Sequence, residues 1–368
     1  VWLTAPALVQ LEANVLDWLR EWMQFPSTAR GLFTTGGSMA NFAAIVCARE
    51  RKLGTELRRG TLYLSSETHH SVAKSAKLAG ILPDRVRAIP VDAAFRMRID
   101  RLADAIATDR AAGLTPFLVV SSAGTTNTGA VDPLREIAAL CLQEGLWHHV
   151  DGAYGASFHL CPELRPLLAG LPEADSLTLD PHKGLFIPYG TGAVLVRDGE
   201  ALRAAHSETA SYMPEDRAGT EFYDPHQFGP DLSRNFRGLP VWLAIKLYGA
   251  ARYRAALAEK RALALDAAKR IAALPHVVMD APPQLSLFAF HLEWPGATLA
   301  EQDAATRELL ERVTRRGKVF ITGCHAGGRF LARVCVLSFR TRQEQIDTCV
   351  EHIAEEVQAL VSREPRSQ

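Results

Sequence analysis

The stretch Ser176-Leu-Thr-Leu-Asp-Pro-His-Lys-Gly184 decides how the rest of this chain is read. Ser176 to Leu179 form a short apolar run of strand type, and Asp180-Pro181 ends it, because proline cannot donate to a sheet ladder. His182 and Lys183 then stand at the strand's mouth, and Gly184 leads into a second apolar run, Leu185-Phe-Ile-Pro-Tyr-Gly190. A lysine on a turn between two buried segments is not placed there for solubility. The competing account is a solvated turn lysine beside a chance histidine, and the rest of the chain has to choose between the two.

Outward from this stretch, β-type runs at 61–64, 86–91, 116–121, 146–150, 176–179 and 193–196 alternate with helical stretches. Such alternation predicts an α/β fold, a mostly parallel sheet with helices on both faces. Before it, Leu8, Leu11, Val15, Trp18, Leu19 and Trp22 follow helical spacing, so residues 1–30 are expected to form a helical segment with one buried face. After it, residues 199–238 are polar and rich in glycine and proline, and a loop of that length is usually functional. A helical stretch from Leu239 to Leu274 leads into a smaller α/β unit, with strands near 286–291, 319–322 and 333–339 and a last helix from Arg342. The expected division is an N-terminal segment 1–30, a large domain 31–245 and a small C-terminal domain 246–368.

Composition narrows the class. A chain of 368 residues exceeds one ordinary core, which agrees with that division. Lys+Arg and Asp+Glu number 41 each, so no general attraction to nucleic acid or to an anionic membrane is implied. No apolar run approaches a membrane span. The six cysteines (47, 141, 161, 324, 335, 349) are scattered without a Cys-x-x-Cys, as expected of reduced thiols in a cytoplasmic protein. The chain begins at Val1 rather than methionine, and a longer protein is expected.

Three further junctions carry chemistry. In Thr34-Thr-Gly-Gly-Ser-Met-Ala-Asn-Phe42, Ser38 is a natural N-cap for a helix, and Gly36 and Gly37 let backbone approach a ligand. A glycine-rich turn opening a helix suits a phosphate, although many such turns are simple capped starts. In Leu146-Trp-His-His-Val-Asp-Gly-Ala-Tyr-Gly155, alternation puts His149 and Asp151 on one strand face and His148 on the other. An aspartate at the carboxyl end of a parallel strand lies where open sheets bind ligands, and it can pair with a pyridinium nitrogen; the plain alternative is a cap for the next segment. In Leu64-Ser-Ser-Glu-Thr-His-His-Ser-Val72, a histidine at the junction could stack on a ring or move a proton. The adjacent pairs His69-His70 and His148-His149 do not favour a metal, since neighbours on a strand point apart.

These elements in this order, with Ser122-Ala-Gly-Thr-Thr-Asn-Thr-Gly-Ala-Val-Asp-Pro133 between them, resemble the group II pyridoxal phosphate (PLP)-dependent amino-acid decarboxylases along nearly the whole chain. The resemblance implies fold type I, with a seven-stranded, mostly parallel sheet in the large domain. It implies that Gly37 and Ser38 hold the phosphate, helped by Ser176 and His182. It implies that His70 stacks over the ring, that Thr126 and Ala153 flank it, that Asp151 binds the ring nitrogen, and that Lys183 forms the Schiff base. It further implies a homodimer, an N-terminal arm before Val1, and a mobile loop, here 207–233, carrying a catalytic tyrosine. Tyr223 is the expected residue, with the register against Phe222 open by a residue or two.

The chain departs from that pattern in places. Gly184 stands where many relatives have a bulky residue, which is expected to alter the pocket wall. Asp180 replaces an asparagine of the animal enzymes, so a carboxylate near phosphate must be turned away or neutralised. The expected activity is decarboxylation of an L-α-amino acid, an aromatic one by preference, with Tyr223 or His70 returning the proton. The alternatives are oxidative conversion to an aldehyde, ammonia and peroxide, as in relatives with phenylalanine for the loop tyrosine, and an inactive regulatory partner.

Overall fold

The computed structural model describes residues 2, 4–208 and 223–362. Seven strands form the large sheet: β1 (Arg30–Thr34), β2 (Gly60–Ser65), β3 (Val86–Ile89), β4 (Thr115–Ser122), β5 (Trp147–Asp151), β6 (Ser176–Leu179) and β7 (Gly192–Val196). Their order is β1-β7-β6-β5-β4-β2-β3. The pairings from β3 through β2, β4 and β5 to β6 are parallel, and β7 is antiparallel to both β6 and β1. β1 therefore points the same way as the parallel set. Its carboxyl end opens on the same edge as theirs.

The strands of the centre are buried along their whole length, as expected where helices cover both faces. One face takes the helix Gly37–Leu53, whose Ala40, Ala43, Ala44 and Cys47 pack with Leu62, Leu118 and Val194. The small alanines let this helix lie close against the sheet. Helices Ile99–Ala111 and Leu134–Glu144 cover another part, meeting Tyr63, Val119 and Leu146.

The N-terminal helix, Pro6–Trp22, docks on the large-domain core. Its buried stripe runs through Val9, Glu12, Val15, Leu16 and Leu19, while Leu8 is exposed, so the stripe is rotated from the expected one. The buried Glu12 explains the rotation. It pairs with Arg234, which also donates to the Phe33 carbonyl at 2.9 Å, and so ties this helix to β1.

The long helix Gly238–Ala272 is broken at Gly249 (φ 72°), a conformation that only glycine adopts without strain. The expected boundary at 245/246 falls within it. Tyr253 and Leu257 still pack in the large-domain core, whereas Leu263, Ala267 and Ile271 belong to the small one. The small domain has an antiparallel sheet of four strands, 277–278, 287–292, 322–326 and 329–335, with the middle pair formed by 329–335 and 287–292. Helices Leu299–Arg315 and Gln343–Val361 cover it, the first opened by a capping box between Thr298 and Glu301. All six cysteines are free. Among the described residues, no helix is long and apolar enough to cross a membrane.

Candidate active site

A cleft of about 350 Å³ opens at the carboxyl edge of the large sheet. Each motif read from the sequence meets it through a strand end: Gly36–Ser38 after β1, His69 after β2, Ser122 to Thr126 after β4, Asp151 and Ala153 after β5, and Asp180 to Lys183 after β6. This is the general location for ligands in open α/β sheets. The sheet order explains why residues 145 positions apart in the chain (38 and 183) line one space: β1 and β6 flank β7.

Lys183 is the only amine among the described residues lining the cleft. Its Nζ lies 2.8 Å from Asp180 Oδ2, one turn back, and the Asp180 carboxylate is almost fully buried. Burial pushes the Asp180 carboxyl above its usual range, partly offset by Lys183 and then His182. His182 donates from Nδ1 to the Thr191 carbonyl at 2.7 Å, which turns its Nε2 to within 3.6 Å of Asp180 Oδ2.

Asp151, the last residue of β5, accepts from the Ala153 amide through Oδ1 (3.1 Å) and from Asn41 Nδ2 through Oδ2 (3.0 Å). Asn41 is a buried hub. Its Oδ1 accepts from Thr178 Oγ1 at 2.7 Å and lies 3.0 Å from His149 Nε2. With Asn41 donating to Asp151, its oxygen must face His149, so His149 carries its proton on Nε2. His149 Nδ1 then accepts from Ser176 Oγ at 2.8 Å, and Ser176 Oγ accepts from Trp147 Nε1 at 2.8 Å. A one-way chain of donors thus runs from Trp147 to the Asp151 carboxylate. His148 faces the other way, onto Ser121 Oγ at 2.8 Å, as strand alternation requires.

The turn before helix Gly37–Leu53 suits an anion. The N-cap is Gly36, whose backbone (φ 155°, ψ 178°) is open only to glycine, and no side chain caps the helix. The amides of Met39 and Ala40 return to the Gly36 carbonyl, and those of Gly37 and Ser38 have no acceptor among the described residues. Ser38 is therefore a first-turn residue beside the cleft rather than the N-cap the sequence suggested. A Cβ on Gly37 would lie 3.1 Å from both the Ala153 Cβ and Asp180 Oδ2, so a side chain there would press on two residues of the cleft wall.

The structure changes several single-residue expectations. His69, not His70, lines the cleft; His70 is the exposed first residue of the helix His70–Leu78. His69 Nδ1 accepts from the Ser71 amide at 3.3 Å, which leaves the proton of the neutral ring on Nε2. Burial, then the neighbouring His70, lowers the His69 pKa, so the ring is neutral near pH 7. Ser176 begins β6 at the end away from the cleft and belongs to the Asp151 network instead. Gly184 is not in the cleft wall. A Cβ there would come within 2.3 Å of Ser157, so glycine serves the packing of the lysine turn.

Tyr223 does not reach the cleft either. Its hydroxyl donates to the Gly31 carbonyl at 3.0 Å and its ring stacks on Phe228. Burial pushes its pKa well up. Residues 209–222, which include Phe222 and much of the expected loop 207–233, lie outside the described residues. Gly37, Ser38, Thr126, Asp151, Ala153, His182 and Lys183 do line one cleft. Asn41 was missed, although a lone amide among Ala40, Ala43, Ala44 and Cys47 on a buried helix face is a legible signal.

The residues fit pyridoxal phosphate: one amine, a carboxylate held at a strand end, and a bare helix start for phosphate. Fold and cleft together define a fold type I, PLP-dependent enzyme. A model of the pyridoxal-dependent decarboxylase conserved domain matches residues 1–293, and the chain belongs to that family, a carboxy-lyase that uses pyridoxal phosphate. It is 35% identical to an aromatic-L-amino-acid decarboxylase of Bacillus atrophaeus over 97% of this chain and 75% of that protein. It is 31% identical to a 4-hydroxyphenylacetaldehyde synthase of Rhodiola rosea over 98% of this chain and 76% of that one. Among solved structures, Oryza sativa TDC with PLP and tryptamine superimposes with a TM-score of 0.92 at 28% identity, over 98% of this chain and 78% of that one.

Proposed function

We propose that this protein decarboxylates an aromatic L-amino acid to the corresponding amine and CO2. The observation that carries the reading is Lys183, the one amine among the described residues lining the cleft, set 2.8 Å from Asp180 on the turn that follows the strand next to that of Asp151. The aromatic preference is supported by the relatives, which include the Bacillus atrophaeus aromatic-L-amino-acid decarboxylase and a tryptophan decarboxylase of Camptotheca acuminata.

Bound in the cleft, pyridoxal phosphate supplies a ring that accepts the electron pair left by CO2. Lys183 would hold the cofactor and give way to the substrate amine. Asp151 would sit at the ring nitrogen and keep it protonated by its negative charge. Gly37 and Ser38 would hold the phosphate through their amides, with His182 beside them. His69 would lie against the ring, its neutral imidazole able to carry a proton at Nε2. Thr126 and Ala153 would bound the space for the ring.

A loop tyrosine is the alternative donor for the α-carbon, and Tyr223 is engaged elsewhere. The stretch 207–233 has one other tyrosine, Tyr212, and we assign the loop role to it. A second reading, oxidative production of an aldehyde, is supported by the 31% identity to the Rhodiola rosea synthase. We also infer a cytoplasmic homodimer. Leu239, Leu243 and Leu247, spaced four apart on one helix, are all exposed and suit a second copy as partner. The test is a screen of the standard amino acids for CO2 release, with amine, aldehyde and oxygen uptake measured together. Borohydride reduction should tag Lys183; a tag on another lysine, or no CO2 from any amino acid, overturns the assignment.

A further inference from the structure

Asp180 is a buried carboxylate at the corner where the phosphate seat and the lysine meet. Its Oδ2 is paired with Lys183 at 2.8 Å, but its Oδ1 has no hydrogen-bond partner among the described residues. The carboxylate lies against glycine backbone on both sides. A Cβ on Gly37 would be 3.1 Å from Oδ2, and one on Gly192 would be 2.7 Å from Oδ1. The charged and titratable groups facing it are Lys183 and His182 from its own turn, Asp151 from β5, and His69 from the end of β2. The glycine turn and β7 bring no charge of their own to it.

A phosphate on the amides of Gly37 and Ser38 places a second anion beside this carboxylate. Like charges that close disfavour ionisation. The one cation paired with Asp180 is Lys183, the residue the cofactor engages. A protonated Asp180, by contrast, gains an O–H donor where an orphaned acceptor now stands. We propose that Asp180 takes up a proton from solvent as the cofactor's phosphate binds, so that this chain holds its cofactor less tightly as pH rises. The inference rests on the phosphate seat assigned above. Burial already pushes the Asp180 carboxyl upward in the same direction.

The test uses the apoenzyme and pyridoxine 5'-phosphate, which carries the phosphate but no aldehyde, so Lys183 chemistry does not enter. Calorimetric titration in two buffers of different ionisation enthalpy counts the protons exchanged. Between about pH 7 and 8.5, where the phosphate is already doubly ionised, the native chain should take up close to one proton per ligand. Its affinity should fall by up to about tenfold per pH unit. Asp180→Asn should take up about one proton fewer than the native chain, lose affinity less steeply over this range, and bind more tightly at the upper end; any uptake common to both belongs to the ring nitrogen beside Asp151. Asp180→Ser, also neutral, should behave alike and serves if the first variant does not fold. Equal proton uptake in native and variant, or weaker binding by both variants, overturns the inference while leaving the phosphate seat standing. Absence of binding by native chain and variants alike removes the seat itself.

Discussion

Asn41 Nδ2 lies 3.0 Å from Asp151 Oδ2, and both groups are buried. Through this contact the helix that opens with the proposed phosphate seat also holds the carboxylate proposed to meet the ring nitrogen of the cofactor. Its other amide atom collects Thr178 and His149, so one side chain orders two neighbouring strands around the cleft. Replacing Asn41 by alanine leaves several buried polar groups unpaired. It should destabilise the fold by about 1–3 kcal/mol, read by denaturant unfolding, and lower kcat more than it raises KM. Asn41→Asp should be worse for catalysis, because a second carboxylate beside Asp151 disfavours its ionised form.

Asp151→Asn keeps the shape and removes the charge. Turnover is expected to fall by about a hundredfold or more, while circular dichroism and cofactor retention remain near native. Activity close to native would mean that the ring nitrogen has another partner.

The two adjacent histidines separate cleanly. His69→Gln should reduce kcat by about a hundredfold or more, the usual range for loss of a positioned acid–base group. His70→Gln, on an exposed ring outside the cleft, should leave kcat and KM within about twofold, as surface substitutions generally do. The reverse outcome would restore the register first read from the sequence.

The two tyrosines of the 207–233 stretch should also differ. Tyr223→Phe removes a buried bond to the Gly31 carbonyl and is expected to cost about 1 kcal/mol of stability with the product ratio unchanged. Tyr212→Phe should still release CO2 but shift product from amine towards aldehyde with oxygen uptake. Oxygen-electrode traces beside amine assays distinguish them.

Acid should unfold this protein early. Burial holds His148 down to about 3 and His149 down to about 4, against an ordinary value of 6.5. A depressed histidine contributes stability that is full above the unfolded value and is lost as pH falls below it. Two such groups give a loss of about 3 kcal/mol per pH unit between about pH 6 and pH 4. His148→Gln should halve that slope, since among the described residues the His148 ring bonds only Ser121 and its Nδ1 has no partner.

Alternation of strand and helix was legible in the chain because periodicity and proline–glycine punctuation are local. So were the strand-end positions of Lys183 and Asp151, since a strand's end is marked by the residues that break it. Six of the seven strands were legible, among them β2 to β6, which pair in parallel. The seventh, β1, was hidden because its five residues, Arg-Gly-Leu-Phe-Thr, are too few to show a period. What tertiary packing alone decided is which of several adjacent residues faces the cleft. His69 or His70 depends on where helix His70–Leu78 begins, and one residue changes the direction of a side chain by about 100°. Ser176 and Lys183 sit at opposite ends of β6, a separation that motif proximity conceals. Tyr223 was claimed by a backbone carbonyl 192 residues away, and Asn41 by a carboxylate 110 residues away. Those partners exist only once the sheet has lined up β1, β7, β6 and β5, so no local rule in the sequence could name them.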